Sequence, residues 1–299
     1  PREGWLPQGW VPPTTEKAQS KMITQNDVHI DQALKTPQFY LIWIVLCFNV
    51  TAGIGVIGVA KTMMTEIFGS TLPFIVNASY AGTYVLMISV FNMTGRFFWA
   101  SISDYIGRKV TYYIFFILGI FLYLSIPYTA IKVQASPAAI WLVIFYAATM
   151  IIFTMYGGGF ATIPAYLADI FGTRFVGGIH GRLLTAWSTA GVLGPLAITQ
   201  LRESSRINAI ETLAAKIDPA VFERTYGAGI NQLSQLVETK TVTISNLMVI
   251  VPSGVTNPSP TLYNTTMYVM AGLLAIALIA NIFVKPVHER HHMKGDGST

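Results

Sequence analysis

The chain is short of charge. Asp, Glu, Lys and Arg make up 11% of its 299 residues, where soluble domains carry roughly 25%. Apolar residues reach 53% and the mean hydropathy is +0.52, which argues against a soluble domain. A single cysteine, Cys47, excludes a disulfide within the chain and reads as a small packing residue inside an apolar run. Within the apolar runs there is no nucleophile beside a base, no pair of carboxylates and no metal-ligand spacing, so no enzyme, cofactor or metal is expected. The net charge of +5 does not form a solvated basic patch, because the basic residues sit at the ends of the apolar runs; a nucleic-acid partner is therefore not expected. The opening residues 1–35 contain Pro, Gln, Thr and basic residues but no apolar leader. They read as an internal linker, so the chain is expected to be the back half of a longer protein.

What is abundant is membrane-length apolar sequence. A bilayer core of about 30 Å needs about 20 residues of helix. Six runs qualify: 39–60, 78–100, 110–130, 138–160, 176–199 and 267–284. None carries an acidic residue in its middle. Residues 61–76 read as a surface helix plus turn, and 162–174 as a short amphipathic connector. Residues 200–265, with five basic and five acidic side chains and helical periodicity in 208–216 and 230–239, read as a small aqueous cap. The expected layout is a linker at 1–37, five spans within 38–199, an external loop or cap at 200–265, a last span at 266–285 and a tail at 286–299.

Short-loop basic residues set orientation. One side collects Arg2, Lys17, Lys21, Lys35, Arg96, Arg108, Lys109, Arg174, Arg182, Lys285, Arg290 and Lys294; the other has only Lys61 and Lys132. Both ends should therefore be cytoplasmic and the long loop outside, in a multi-pass protein of the plasma (inner) membrane.

Residues 95–109 read G-R-F-F-W-A-S-I-S-D-Y-I-G-R-K. Apolar sequence stops at an acidic, doubly basic turn and restarts at Val110. Gly107 permits a sharp turn between antiparallel helices. Asp104 can face a helix N-terminus or an arginine, while Arg108 and Lys109 suit the phosphate surface. The word Asp104-x-x-Gly107-Arg108-Lys109 resembles the signature loop of the major facilitator superfamily, although Ala100 stands where that word usually has glycine. More closely, F-N-M-T-G-R-F-F-W-A-S-I-S-D-Y-I-G-R-K and Y-G-G-G-F-A-T-I-P-A-Y-L-A-D-I-F-G-T-R-F-V-G-G-I-H-G resemble the eighth-to-ninth and tenth-to-eleventh helix regions of the oxalate/formate antiporter family. The opening E-G-W-L-P-Q-G-W-V-P-P resembles its linker before the seventh helix. The resemblance implies an all-α integral membrane fold: six transmembrane helices forming one half of a twelve-helix carrier, with an extended external loop before the last. It implies alternating-access transport of small carboxylates, by antiport or proton symport. The partners implied are a small organic anion, the lipid bilayer and an absent N-terminal six-helix half.

Arg96 lies eight positions before Asp104, about 12 Å along a helix. An arginine at that depth is costly against lipid, so it should face water or a partner, and its planar fork suits a carboxylate. It reads either as a substrate ligand or as a side chain that snorkels or pairs with Asp104. The resemblance implies substrate contact at Arg96. It also implies a lysine where this chain reads Thr185-Ala186-Trp187, so one cation stands in place of two, favouring a monocarboxylate. Trp187 would line the cavity or anchor packing. Tyr156, Asn92, Asn49 and Thr51 are polar groups at cavity depth that also suit interhelical hydrogen bonds. Gly157, Gly158 and Gly159 suit close packing or a hinge. Gly53-x-Gly55-x-x-Gly58 mimics a dinucleotide fingerprint but lies inside an apolar run, which favours helix packing. His180 reads as structural or proton-coupling, and His288-x-x-His291-His292 as a hydrophilic tail. The competing functions are an exporter of drugs or sugars, in which Arg96 serves gating, and a non-transporting sensor of the same fold.

Overall fold

A computed structural model of the chain describes residues 22–24 and 26–293. Most of the expected linker, with Arg2, Lys17, Lys21 and the E-G-W-L-P-Q-G-W-V-P-P run, lies outside the described residues, as does Lys294. Ten α-helices succeed one another among the described residues: α1 (Ile30–Ala33), α2 (Pro37–Phe68), α3 (Ala78–Ile106), α4 (Arg108–Ala135), α5 (Ala139–Phe171), α6 (Val176–Ala214), α7 (Pro219–Tyr226), α8 (Leu233–Glu238), α9 (Ile244–Ile250) and α10 (Asn264–Phe283). The described residues contain no strand; one isolated antiparallel bridge joins Val28 and His292.

Local chemistry sets the helix ends. Thr36 caps α2 by accepting from Phe39 N, with Pro37 at its first position, where the missing N–H costs nothing. Asn77 caps α3 through Tyr80 N at 2.9 Å. A single residue, Gly107 at φ 88°, separates α3 from α4, and a side chain would be strained there.

The long helices outrun the apolar segments that predict them. Residues 61–68 are not a separate surface helix: α2 runs through them unbroken, because Met63, Met64, Ile67 and Phe68 are fully buried. The chain turns only at residues 69–75. Likewise the expected connector at 162–174 is mostly the end of α5, anchored by the buried Ile163, Tyr166, Leu167, Ile170 and Phe171. Helix α6 continues well beyond residue 199, so the cap begins as its extension, and α7, α8 and α9 complete it. Five helical segments are long and apolar enough to cross a membrane: Pro37–Phe68, Ala78–Ile106, Arg108–Ala135, Ala139–Phe171 and Ser259–Phe283. Helix α6, which covers the run expected at residues 176–199, is not among them. Its length is ample, but Gly177, Gly178, His180, Gly181, Arg182, Thr185 and Ser188 dilute its apolarity.

All six long helices nevertheless run the height of one bundle. At one end, Val28 N donates to Phe171 O at 2.8 Å and Lys109 Nζ to Val284 O at 2.6 Å. At the other, Arg202 of α6 pairs with Glu66 of α2 and lies 5.8 Å from the Tyr263 ring, while Gln134 Nε2 donates to Asn257 O at 2.6 Å. The chain thus enters and leaves at the same end and carries its cap at the opposite one. Beside that cap, a hydrogen bond from Arg206 holds the Glu203 carboxyl below the usual carboxylate range.

Packing is closest where α3 meets α5. A Cβ on Gly95 would collide with the Thr154 backbone, one on Gly157 with the Asn92 carbonyl, and one on Gly158 with the Trp99 side chain. Trp99 Nε1 also donates to Thr154 Oγ1 at 3.2 Å. Helices α2 and α6 approach in the same way at Gly55 and Gly194. In lipid, where burial of apolar surface gives little net drive, such small-residue contacts supply the packing. Buried tyrosines cross-link the rest: Tyr112 Oη donates to Gly159 O at 2.6 Å and Tyr123 Oη to Ala52 O at 2.8 Å.

The crossing yields a direct prediction. Gly157→Val forces α3 away from α5 and costs about 1–3 kcal/mol, seen as a lower thermal midpoint of the purified protein in detergent. Gly191→Ala, where a Cβ meets nothing within 4 Å, leaves the midpoint unchanged or slightly raised. Equal behaviour of the two variants would refute the close crossing.

Candidate functional site

The register of α3 decides where its arginine points. Gly95 and Trp99 are buried against α5, and each residue along a helix turns by about 100° from the last. Arg96 therefore leaves the contact seam and is exposed. Its Cζ lies 5.2 Å from the Phe160 ring centroid. Phe160 packs edge-on to Trp187 at 4.8 Å, and Trp187 lies 6.0 Å from Tyr156. Cation, phenyl, indole and phenol thus form one group built from α3, α5 and α6.

A cleft of about 330 Å³ opens beside it, lined by Ile57, Ile88, Ser89, Asn92, Met93 and Arg96. Arg96 is the one charged side chain in that lining. Among the described residues no carboxylate lies within ion-pair distance of it. Asp104, the alternative partner, is paired with Arg108. Chemically, the group offers a planar donor fork above an aromatic wall, which suits a carboxylate carrying a small apolar body.

Of the residues singled out from sequence, Arg96 and Asn92 share the cleft, while Tyr156 and Trp187 join through Phe160. Tyr156 is largely buried, its ring against Gly53 of α2. Trp187 sits beside Thr185, whose Oγ1 accepts from Trp43 Nε1 at 2.9 Å, tying α6 to α2. Gly157, Gly158 and Gly159 lie within unbroken α5 and face Asn92, Trp99 and Asn49 in turn. Gly53 and Gly55 lie within α2 and pack on Tyr156 and Gly194. His180 Nε2 is buried with no hydrogen-bond partner among the described residues. Phe160 was missed from sequence, although it stands one turn beyond Tyr156 on the same helix. Ser89 and Met93 were missed too; an exposed serine and methionine carry no signal beyond their register with Arg96.

The signature turn is a separate constellation at the end of the bundle where the chain enters and leaves. Arg108 pairs with Asp104, donates to Ser103 Oγ at 3.3 Å and points its Nε toward Asp169 of α5 at 4.0 Å. Asp169 falls inside the Y-G-G-G-F-A-T-I-P-A-Y-L-A-D motif, but nothing in its spacing marks it as a partner of the turn. Lys109 does not reach toward a phosphate surface. Its Nζ donates to the Ile282 and Val284 carbonyls at 3.2 and 2.6 Å, satisfying the open end of α10. Asn281 completes the tie, donating to Lys109 O at 3.1 Å and accepting from Tyr166 Oη at 3.0 Å. The turn therefore binds α3, α4, α5 and α10 together.

A family model described as the Major Facilitator Superfamily matches residues 5–195. The chain is also similar to the oxalate:formate antiporter of Oxalobacter formigenes, 30% identical over 173 residues. That stretch covers 58% of this chain and 38% of the relative, so the chain spans well under half of that protein's length.

Lys109→Gln removes the cation from the last carbonyls of α10. Amide hydrogen exchange in residues 284–293 is expected to rise about tenfold, the equivalent of about 1.4 kcal/mol of lost local stability. Exchange in α2 stays unchanged. No change in the tail would show that Lys109 does not hold it.

Proposed function

The chain belongs to the Major Facilitator Superfamily, and on that premise we propose that it supplies six helices of a twelve-helix carrier for small carboxylate anions. The carrier works by alternating access, one half rocking against the other around a site near the bilayer midplane. Coupling is by antiport or by proton symport. Helix α6 is the sixth span in this reading, tolerated despite its polar residues because it packs on α2 and faces the cavity. The absent half covers the open side of α3, where Leu86, Met93 and Phe97 are 63%, 57% and 73% exposed. Both ends of the chain face the cytoplasm, and the cap lies outside an inner or plasma membrane.

One observation carries the reading: the Arg96 guanidinium opens onto a cleft, stands over an aromatic ring and has no carboxylate partner among the described residues. A charge at membrane depth costs at least about 2.5–3.5 kcal/mol. A carboxylate arriving in the cleft offsets that cost. The similarity to an oxalate:formate antiporter supports the same substrate class. Trp187 narrows it. An indole replaces the second cation that the resemblance leads one to expect, so a dianion would leave one carboxylate buried without a partner. The substrate is accordingly a monocarboxylate, its carboxyl on Arg96 and its apolar body against Phe160 and Trp187.

Two substitutions test this in the carrier that contains this chain. Arg96→Gln abolishes uptake of labelled monocarboxylate while membrane abundance stays normal; undiminished uptake would refute the role. Trp187→Lys raises competition by dicarboxylates relative to monocarboxylates by about tenfold or more. An unaltered preference would remove Trp187 from the specificity argument.

A further inference from the structure

Several cations are ion-paired: Arg108 with Asp104, Arg202 with Glu66 and Arg206 with Glu203. Among those at the opposite end from the cap, Lys35, Lys285 and Arg290 are not. Lys35 precedes α2, while Lys285 and Arg290 come after α10, and all three are exposed. Among the described residues no carboxylate lies within ion-pair distance of any of them. The acidic neighbours do not quench the group: among the described residues Glu289 and Asp31 are exposed and neither lies within ion-pair distance of the three, and Asp27 turns its carboxylate to Arg174 N at 3.1 Å. His291 senses the concentration of charge, its pKa lowered by desolvation and then by Arg290, His288, His292 and Lys35.

The three cations are held rather than trailing. The Val28–His292 bridge and the bond from Met293 N to Asp27 O at 2.9 Å fasten the tail across the segment before α2. Gln38 Nε2 donates to Pro286 O at 3.1 Å, and Lys109 fixes the chain just before Lys285. Arg290 donates through Nε to His291 Nε2 at 3.0 Å, leaving its terminal nitrogens available. Helices α2 and α10 are both apolar enough to span, so their adjoining ends stand at the height of lipid headgroups.

We propose that Lys35, Lys285 and Arg290 form a binding site for the phosphate of an anionic phospholipid. Cations near an anionic membrane surface are attracted to it, and a guanidinium beside ammonium groups grips phosphate oxygens well. Because the tail is already fastened, little ordering opposes binding. The site rests on the spanning of α2 and α10, not on the carboxylate reading of Arg96, and it serves whichever membrane face these ends meet.

The test uses the purified full chain in neutral detergent and reads lipid binding, not uptake. Short-chain phosphatidylglycerol, short-chain phosphatidylcholine and glycerol 3-phosphate are titrated separately, with bound lipid counted by native mass spectrometry. Phosphatidylglycerol binds at least several-fold more tightly than the other two. The triple variant Lys35→Gln/Lys285→Gln/Arg290→Gln loses that preference, and Arg290→Gln alone, at an exposed position, reduces it. The control Lys61→Gln/Lys132→Gln, at the opposite end, retains it. Equal binding of the two lipids, a preference that survives in both variants, or glycerol 3-phosphate binding as tightly as the lipid would each overturn the proposal.

Discussion

The close approach of α3 to α5 is the contact on which the rest depends. Two helices in lipid gain little from excluding water, so they hold only where their backbones come near. Gly95 and Gly157 make that possible from opposite sides, each occupied by the other helix's backbone, with Trp99 closing over Gly158. Once this seam is fixed, one residue of rotation separates buried Gly95 from exposed Arg96. The same seam brings Tyr156 and Phe160 to the height of Arg96 and leaves Trp187 of α6 as the facing wall. Packing thus decides where the charge points, and the charge decides what the cleft can hold.

The distribution of ion pairs sharpens this. Burying a cation without a partner is costly, so structural arginines find carboxylates. Arg108 and Arg202 do so, at opposite ends of the bundle, and each ties helices together. Arg96 does not, although Asp104 lies only two turns along the same helix. A cation left unpaired in the middle of a membrane-length helix is the expected state of a ligand site between ligands, and a costly one for a purely structural residue. At the end where chain entry and exit meet, Lys35, Lys285 and Arg290 are also unpaired, but there solvent and headgroups replace carboxylates.

Much of this was legible in the sequence. The apolar runs fell on the six long helices, five of which are long and apolar enough to span, and Gly107 marked the one-residue turn between α3 and α4. The helix ends were not legible: residues 61–68, 162–171 and 200–214 carry polar side chains that read as surface, yet their buried faces continue the helices beyond the apolar core. The polarity of α6 was underweighted for the same reason, since a run can be helical and well packed without being uniformly apolar. Around the cleft, Arg96, Asn92, Tyr156 and Trp187 stood out in the sequence because a charge, an amide, a phenol or an indole is conspicuous at that depth, and the structure groups them. Phe160 did not stand out, since one more phenylalanine in an apolar helix carries no distinguishing mark; only the geometry shows it beneath the guanidinium. Lys109 likewise read as a surface anchor because sequence cannot show that the last carbonyls of α10 lie within its reach.

The central claim is that the Arg96 guanidinium stands free in a wet cleft and receives a carboxylate. It is tested most directly by arginine-selective labelling of the carrier with a dicarbonyl reagent, with peptide mass spectrometry tracking Arg96 alone. The account predicts that Arg96 reacts readily in the absence of substrate and is protected in proportion to occupancy by a monocarboxylate, while the paired Arg108 and Arg202 react slowly throughout. An Arg96 that stays unreactive, or one that reacts equally with and without carboxylate, would contradict it.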